Sequence, residues 1–170
     1  MLIRMATADD AAACAAIYAP YVTDTPISFE TEPPSTSEMA ARIEHAIAWF
    51  VLEADSGEVV GYAYAGQFHP RAAYRWACEV SVYLERGRHR TGAGRALYGV
   101  LLPHLTERGY RTAIAGMTLP NPGSEGLHAA LGFEPVGTYR DIGYKGGAWH
   151  DVAWTQKTLA TGEGLPREPV

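Results

Sequence analysis

Apolar and polar positions divide the chain into strands and helices in a readable order. Leu2–Met5 is short and apolar enough to predict a first strand. Ala6–Tyr18 is alanine-rich, with Asp9 and Asp10 near its start, where carboxylates suit the positive end of a helix. Pro20 and Pro26 are expected to end that helix and open a loop through Phe29. Ser35-Thr36-Ser37-Glu38 has capping-box spacing ahead of Met39–Ile47, which predicts a second helix. Trp49–Ala54 and Val59–Ala65 are apolar runs around the turn-forming Asp55-Ser56-Gly57-Glu58, and so predict a hairpin.

Gln67–Arg75 is an irregular stretch containing Pro70, and Trp76–Leu84 predicts a further strand. In Arg95–Arg108, Leu97, Leu101 and Leu105 recur at helical spacing, although Pro103 interrupts them; Gly109 closes the segment as a cap. Thr112–Met117 reads as a strand. Asn121 and Pro122 then open a helix to about Leu131. Val136–Ile142 and Val152–Leu159 predict two last strands joined by the glycine-rich Gly143–Ala148. The order β-α-α-β-β-β-α-β-α-β-β predicts an α/β fold with a mixed sheet and helices on both faces.

The composition narrows the function. The chain of 170 residues is 47% hydrophobic and 19% charged, enough for one domain with a real core. A net charge of −5 gives no sign of a general nucleic-acid binder. Cys14 and Cys78 are too few for a disulfide scaffold, and the six histidines lack metal-ligand spacing, so no metal is expected. No apolar run is long enough for a membrane span or a signal peptide, which predicts a cytoplasmic location.

Three places suggest chemistry. Arg90-Thr91-Gly92-Ala93-Gly94-Arg95 sits between a strand and a helix, where glycines admit a ligand and a helix start offers free N–H groups to anionic oxygens. The Walker and dinucleotide patterns are both absent, and a purely geometric turn reads equally well. Glu79 lies in the apolar strand Trp76–Leu84; burial would raise its pKa toward that of a general base, whereas a solvent-facing glutamate is the plainer alternative. His128 follows Asn121 by two helical turns and gains meaning only from what surrounds it.

Together these segments resemble the GNAT superfamily of N-acetyltransferases, within it the phosphinothricin and methionine sulfoximine acetyltransferases. The resemblance is carried by Ala63-Tyr64-Ala65-Gly66, Ala73-Tyr74-Arg75-Trp76, and Glu79 with Ser81-Val82-Tyr83. It extends to His89-Arg90-Thr91-Gly92-Ala93-Gly94, Leu127–Phe133 and Trp149-His150-Asp151-Val152. One departure is His89, where the superfamily signature has Arg or Gln.

The resemblance implies one N-acetyltransferase domain over residues 1–160, and the Gly/Pro/Glu-rich composition of 161–170 predicts a flexible tail. It implies acetyl-CoA as co-substrate, bound by Val82, Tyr83, Leu84, Arg90, Thr91, Gly92, Ala93, Gly94, Arg95 and Asn121. Glu79 becomes the general base of a direct transfer and His128 a second participant, as base or as thiolate stabiliser. Arg71, Tyr74 and Arg75, with Lys145 and His150, are the candidates for holding a small amino-acid substrate. A homodimer is expected, with Tyr144, Trp149 and Trp154 available for its interface, and resistance to a herbicide-like amino acid follows as a consequence of the activity. Another amine acceptor (a protein N-terminus or a polyamine) and a silent acyl-CoA-binding module are the alternatives.

Overall fold

A computed structural model of the protein describes residues 1–88, 91–162 and 166–170. Seven strands form one sheet in the order β1-β2-β3-β4-β5-β7-β6. They are β1 (Leu2–Met5), β2 (Ala48–Glu53), β3 (Val59–Gln67), β4 (Ala77–Leu84), β5 (Thr112–Thr118), β6 (Glu134–Lys145) and β7 (Ala148–Thr158). The helices are α1 (Ala11–Thr23), α2 (Thr36–His45), α3 (Ala93–Glu107) and α4 (Pro122–Ala130). The element order matches the one predicted from the sequence.

Each face of the sheet has its own core. On one face, Leu97, Leu101 and Leu105 of α3 are fully buried against Cys78, Val80, Ala113 and Ala115. Burying each such leucine stabilises the fold by about 1.5–3 kcal/mol. On the other face, Cys14, Ile17 and Tyr18 of α1 and Met39 of α2 cover Trp49, Val51 and Tyr62. The strand period divides β4 between these cores: Val82 packs toward α3 and Tyr83 toward α1. Glu79 and Ser81 therefore share the face of Tyr83.

Neither internal proline breaks its helix. α1 runs through Pro20 to Thr23, because Tyr21 and Val22 gain a buried place in the core by staying helical. α3 continues through Pro103 to Glu107, anchored on both sides by buried Leu101, Leu102 and Leu105. Ser35 does cap α2, accepting from the Glu38 N–H at 3.3 Å. β6 and β7 are longer than expected, meeting at a tight turn with Gly146 at φ +61° and Gly147 at φ +81°. A frayed tail was expected past residue 160. Among its described residues, the Arg167 carbonyl accepts from Trp76 Nε1 at 2.8 Å and the Val170 N–H donates to the Arg108 carbonyl at 3.1 Å.

The sheet forks in its middle. β4 is parallel to β5 only where Ala77, Cys78 and Glu79 pair with Thr112, Ala113 and Ile114. Beyond that point β5 stays with β7 up to Thr118, while Val80–Leu84 remain paired only with β3.

Candidate active site

The fork opens a groove of about 380 Å³ between β4 and β5, roofed by the starts of α3 and α4. Its β4 wall, Val80–Leu84, carries backbone N–H and C=O groups that have lost a strand partner, of which the Leu84 carbonyl accepts from Tyr21 Oη at 2.6 Å. Such groups demand hydrogen bonds from something else, which an extended amide-bearing chain supplies. Gly92, at φ +84°, caps α3 in the left-handed region, and no side chain caps the first turn of that helix. Ala93 and Gly94 are buried beside it. A Cβ on Gly94 would lie 3.1 Å from Leu127 Cδ2, so glycine there lets α3 and α4 approach closely. The open N–H groups of the first turn suit a diphosphate.

Among the residues predicted from the signature, Val82, Tyr83, Leu84, Gly92, Ala93, Gly94, Arg95 and Asn121 all line this groove. Thr91 Oγ1 donates to the Arg88 carbonyl at 2.8 Å, which shapes the turn from within. The Arg95 guanidinium reaches the Ala130 carbonyl at 3.3 Å, tying α3 to the end of α4. His89 and Arg90 lie outside the described residues. Asn121 has a local task, since its side chain accepts from the Ser124 N–H at 3.2 Å and caps α4.

Glu79 stands at the crotch of the fork, in the last β4–β5 pair, opposite Ile114. It is half-buried, and burial alone pushes its pKa above the ordinary carboxylate value. Among the described residues it joins no ion pair.

His128 is 3% exposed in the groove wall. Its Nδ1 lies 2.8 Å from the Ser124 carbonyl, an acceptor only, so Nδ1 carries the proton and donates. Nε2 is then a bare acceptor, and Tyr98 Oη donates to it at 3.2 Å. Burial holds the ring below its ordinary pKa of 6.5 and keeps it neutral. Tyr98 is a residue the sequence reading missed. Its signal was a tyrosine on an apolar helical stripe, whose buried hydroxyl needs a partner.

The proposed acceptor side chains are scattered by comparison. Arg71 and Tyr74 lie in the exposed loop before β4, where the Tyr74 ring contacts Phe68 and His69 with centroids 5.7 and 4.7 Å away. Arg75 is already engaged: it lies 2.9 Å from Glu168 and 4.8 Å over the Trp76 ring. Lys145 is a correction. Its ammonium donates to the carbonyls of Val22 at 2.6 Å, Ser28 at 2.5 Å and Glu30 at 2.8 Å. All three of its donors are used, so Lys145 fastens the loop after α1 instead of facing a ligand. His150 Nε2 lies 2.9 Å from the Lys145 carbonyl and belongs to the same fastening.

The sequence profile of the acetyltransferase (GNAT) domain matches residues 3–154. The chain belongs to the GNAT acetyltransferase family. It is 40% identical over 170 residues to a phosphinothricin N-acetyltransferase of Streptomyces viridochromogenes, a match covering 98% of this chain and 90% of the relative. It is 32% identical over 126 residues to an L-methionine sulfoximine/L-methionine sulfone acetyltransferase of Pseudomonas paraeruginosa, covering 74% and 73% of the two chains. A GNAT superfamily phosphinothricin acetyltransferase from Sinorhizobium meliloti, solved with AcCoA, superposes with a TM-score of 0.93 at 37% identity. That superposition covers 98% of this chain and 93% of the other. As a GNAT acetyltransferase the protein uses acetyl-CoA, and the groove between β4 and β5 has the donors such a molecule requires: loose strand backbone for its amide arm and a helix start for its diphosphate.

Proposed function

We propose that this GNAT acetyltransferase moves the acetyl group of acetyl-CoA onto the α-amine of a small amino acid of the phosphinothricin or methionine sulfoximine kind. The observation that carries the reading is Glu79, a half-buried carboxylate without an ion-pair partner among the described residues, at the crotch of the fork. The names of the similar enzymes support the acceptor class.

Acetyl-CoA supplies an activated thioester. Glu79 takes a proton from the acceptor ammonium, directly or through water, and leaves the amine free to attack the thioester carbonyl; the C–N bond forms, the C–S bond breaks, and CoA leaves as the thiol with the amine's second proton. Backbone N–H groups of β4 near Val82 polarise the carbonyl under attack. His128 is neutral and its one free lone pair, on Nε2, is held by Tyr98 Oη, so it takes up a proton only through that hydroxyl, which gives its own proton to Nε2 as it receives another. Arg71 and Tyr74 hold the acceptor's carboxylate from the loop before β4, with Arg75 kept in place by Glu168. N-acetylation removes the cationic amine of a toxic amino acid, and resistance would follow.

The ribbon of β6 and β7 presents Val136, Tyr139, Ile142, Tyr144 and Trp149, each more than half exposed. A second copy covering this ribbon gives the homodimer. Trp154 is committed elsewhere, since its indole lies against Gly116.

The deciding experiment is acetyl-CoA-dependent thiol release with phosphinothricin and with methionine sulfoximine, against a control lacking acceptor. Release with either supports the reading. Acetyl-CoA binding without release would leave the family intact and remove this acceptor class.

A further inference from the structure

Residues 167–170, expected from their composition to fray, are pinned at both ends. The Val170 N–H donates to the Arg108 carbonyl at 3.1 Å, and Arg108 Nε donates back to the Val170 carbonyl. Arg108 also donates to the Ile47 carbonyl just before β2, so this end is tied to the body of the sheet. The turn between α3 and β5 is shaped to receive the segment. Gly109 there has φ +96°, and a Cβ on it would lie 3.4 Å from the Glu168 carbonyl oxygen and 3.5 Å from Pro169 Cα. At the other end the Arg167 carbonyl accepts from Trp76 Nε1 at 2.8 Å, and the Glu168 carboxylate accepts from Arg75 Nη1 at 2.9 and 3.1 Å.

Arg75 passes this anchorage on to the loop before β4. Its Nε donates to the Ala72 carbonyl at 2.8 Å, and its guanidinium carbon lies 4.8 Å over the Trp76 ring. Ala72 begins the short turn Ala72–Tyr74, directly after Arg71. Every residue from 71 to 75 is exposed, so burial does not fix this turn. Its other hydrogen bonds are local: the Tyr74 N–H to the Arg71 carbonyl at 3.0 Å, the Arg75 N–H to the Ala72 carbonyl at 3.2 Å, and the Arg71 N–H to His69 Nδ1 at 3.2 Å. Bonds between near neighbours shape a loop without orienting it on the protein. Among the described residues, the side-chain hydrogen bonds that tie 71–76 to a distant part of the chain are those to Arg167 and Glu168.

We propose that residues 167–170 are a strap that sets the affinity for the acceptor, with Glu168 as its positioning residue: Glu168 holds Arg75, Arg75 holds the Ala72–Tyr74 turn, and Arg71 and Tyr74 are thereby presented to the acceptor. The proposal rests on the reading of the protein as an amino-acid acetyltransferase that grips its acceptor from this loop. A loop that spends only a fraction of its time in the binding position weakens the apparent affinity by that fraction. The strap acts on the acceptor and not on acetyl-CoA, because no residue of the loop or the strap lines the groove between β4 and β5.

The test is steady-state acetylation of phosphinothricin and methionine sulfoximine by the wild-type protein, by Glu168→Ala, by Trp76→Phe and by the double variant. Calorimetric titration with acetyl-CoA reports whether each variant is folded with its groove intact, and hydrogen exchange follows the Tyr74 and Arg75 amides. Glu168→Ala is expected to raise the acceptor KM by up to about fivefold, the range of an exposed ion pair, and the double variant by at least about fivefold. The kcat at saturating acceptor and the acetyl-CoA dissociation constant stay the same, while the two amides exchange faster. An unchanged acceptor KM in the double variant overturns the strap and leaves the amino-acid reading standing. So does a loss of acetyl-CoA affinity equal to that for the acceptor, which would make the segment a support for the whole sheet. Acetyl-CoA binding by the wild type with no acetylation of either amino acid overturns that reading, and the strap's task with it.

Discussion

Tyr98 Oη and His128 Nε2 are 3.2 Å apart in the wall of the groove, and the other ring nitrogen of His128 is held by the Ser124 carbonyl. The two contacts together dictate one tautomer. Tyr98→Phe removes the donor without changing the packing of the ring, so His128 can turn or take up water. The expected result is a fall in kcat of several-fold with an unchanged KM for acetyl-CoA. A variant whose kcat and pH profile both match the wild type would show that Tyr98 serves packing alone.

His128 also sets a limit on the acid side. Its pKa in the folded protein lies below the ordinary 6.5 because burial opposes the charged ring. In the unfolded chain the ring takes up a proton first, so stability falls as the pH drops from about 6.5 through the folded pKa. His128→Asn, of similar size and never charged, flattens the fall in melting temperature between pH 7 and pH 5. An equally steep fall in the variant would assign the acid sensitivity to other groups.

Glu79 runs the opposite way. Burial raises its pKa, so the folded state favours the protonated form and loses stability as the pH rises through that value. Glu79→Gln therefore raises the melting temperature at pH 8 while lowering kcat by at least about a hundredfold, the usual contribution of a general base. It also removes the rise of kcat/KM with pH that the Glu79 carboxyl causes. Unaltered turnover in this variant would exclude Glu79 as the base.

Much of this site was legible beforehand, for local reasons. The Gly92-Ala93-Gly94 turn, the Ser35 and Asn121 caps and the leucines of α3 depend on neighbours in sequence, and each element fell close to where its pattern placed it. Lys145 was not legible that way. A lysine near a glycine turn reads as free charge, and only the folded chain brings Val22, Ser28 and Glu30 around its ammonium. Tyr98 was hidden for a similar reason, because its partner His128 is thirty residues away. Pro20 misled because propensity weighs one residue at a time, whereas Tyr21 and Val22 add the burial that keeps α1 going.

Lys145→Met keeps the length of the stem and removes three charge-assisted hydrogen bonds to backbone carbonyls. A loss of about 2–3 kcal/mol is expected, with the loop from Val22 to Glu30 exchanging its amide protons faster. For a chain of this size that is a drop in melting temperature of roughly 4–12 °C. A drop within 1 °C or so would leave the fastening without energetic weight.

The cysteines bear on the chemistry by their inertness. Burial pushes the thiols of Cys14 and Cys78 up to about 12, far from a reactive thiolate. Iodoacetamide at pH 8 is expected to leave the native enzyme unlabelled and fully active, as direct transfer requires. Labelling of either cysteine in step with inactivation would point to a covalent acyl carrier.

The fork between β4 and β5 ties the protein's stability to what fills it. A sheet that parts in its middle leaves one run of backbone waiting for a guest, and under the proposed function acetyl-CoA would serve as a temporary eighth strand as much as a reagent. The enzyme's resistance to heat and to proteases should climb with the concentration of its co-substrate, by about 2.7 kcal/mol at a hundred times the dissociation constant.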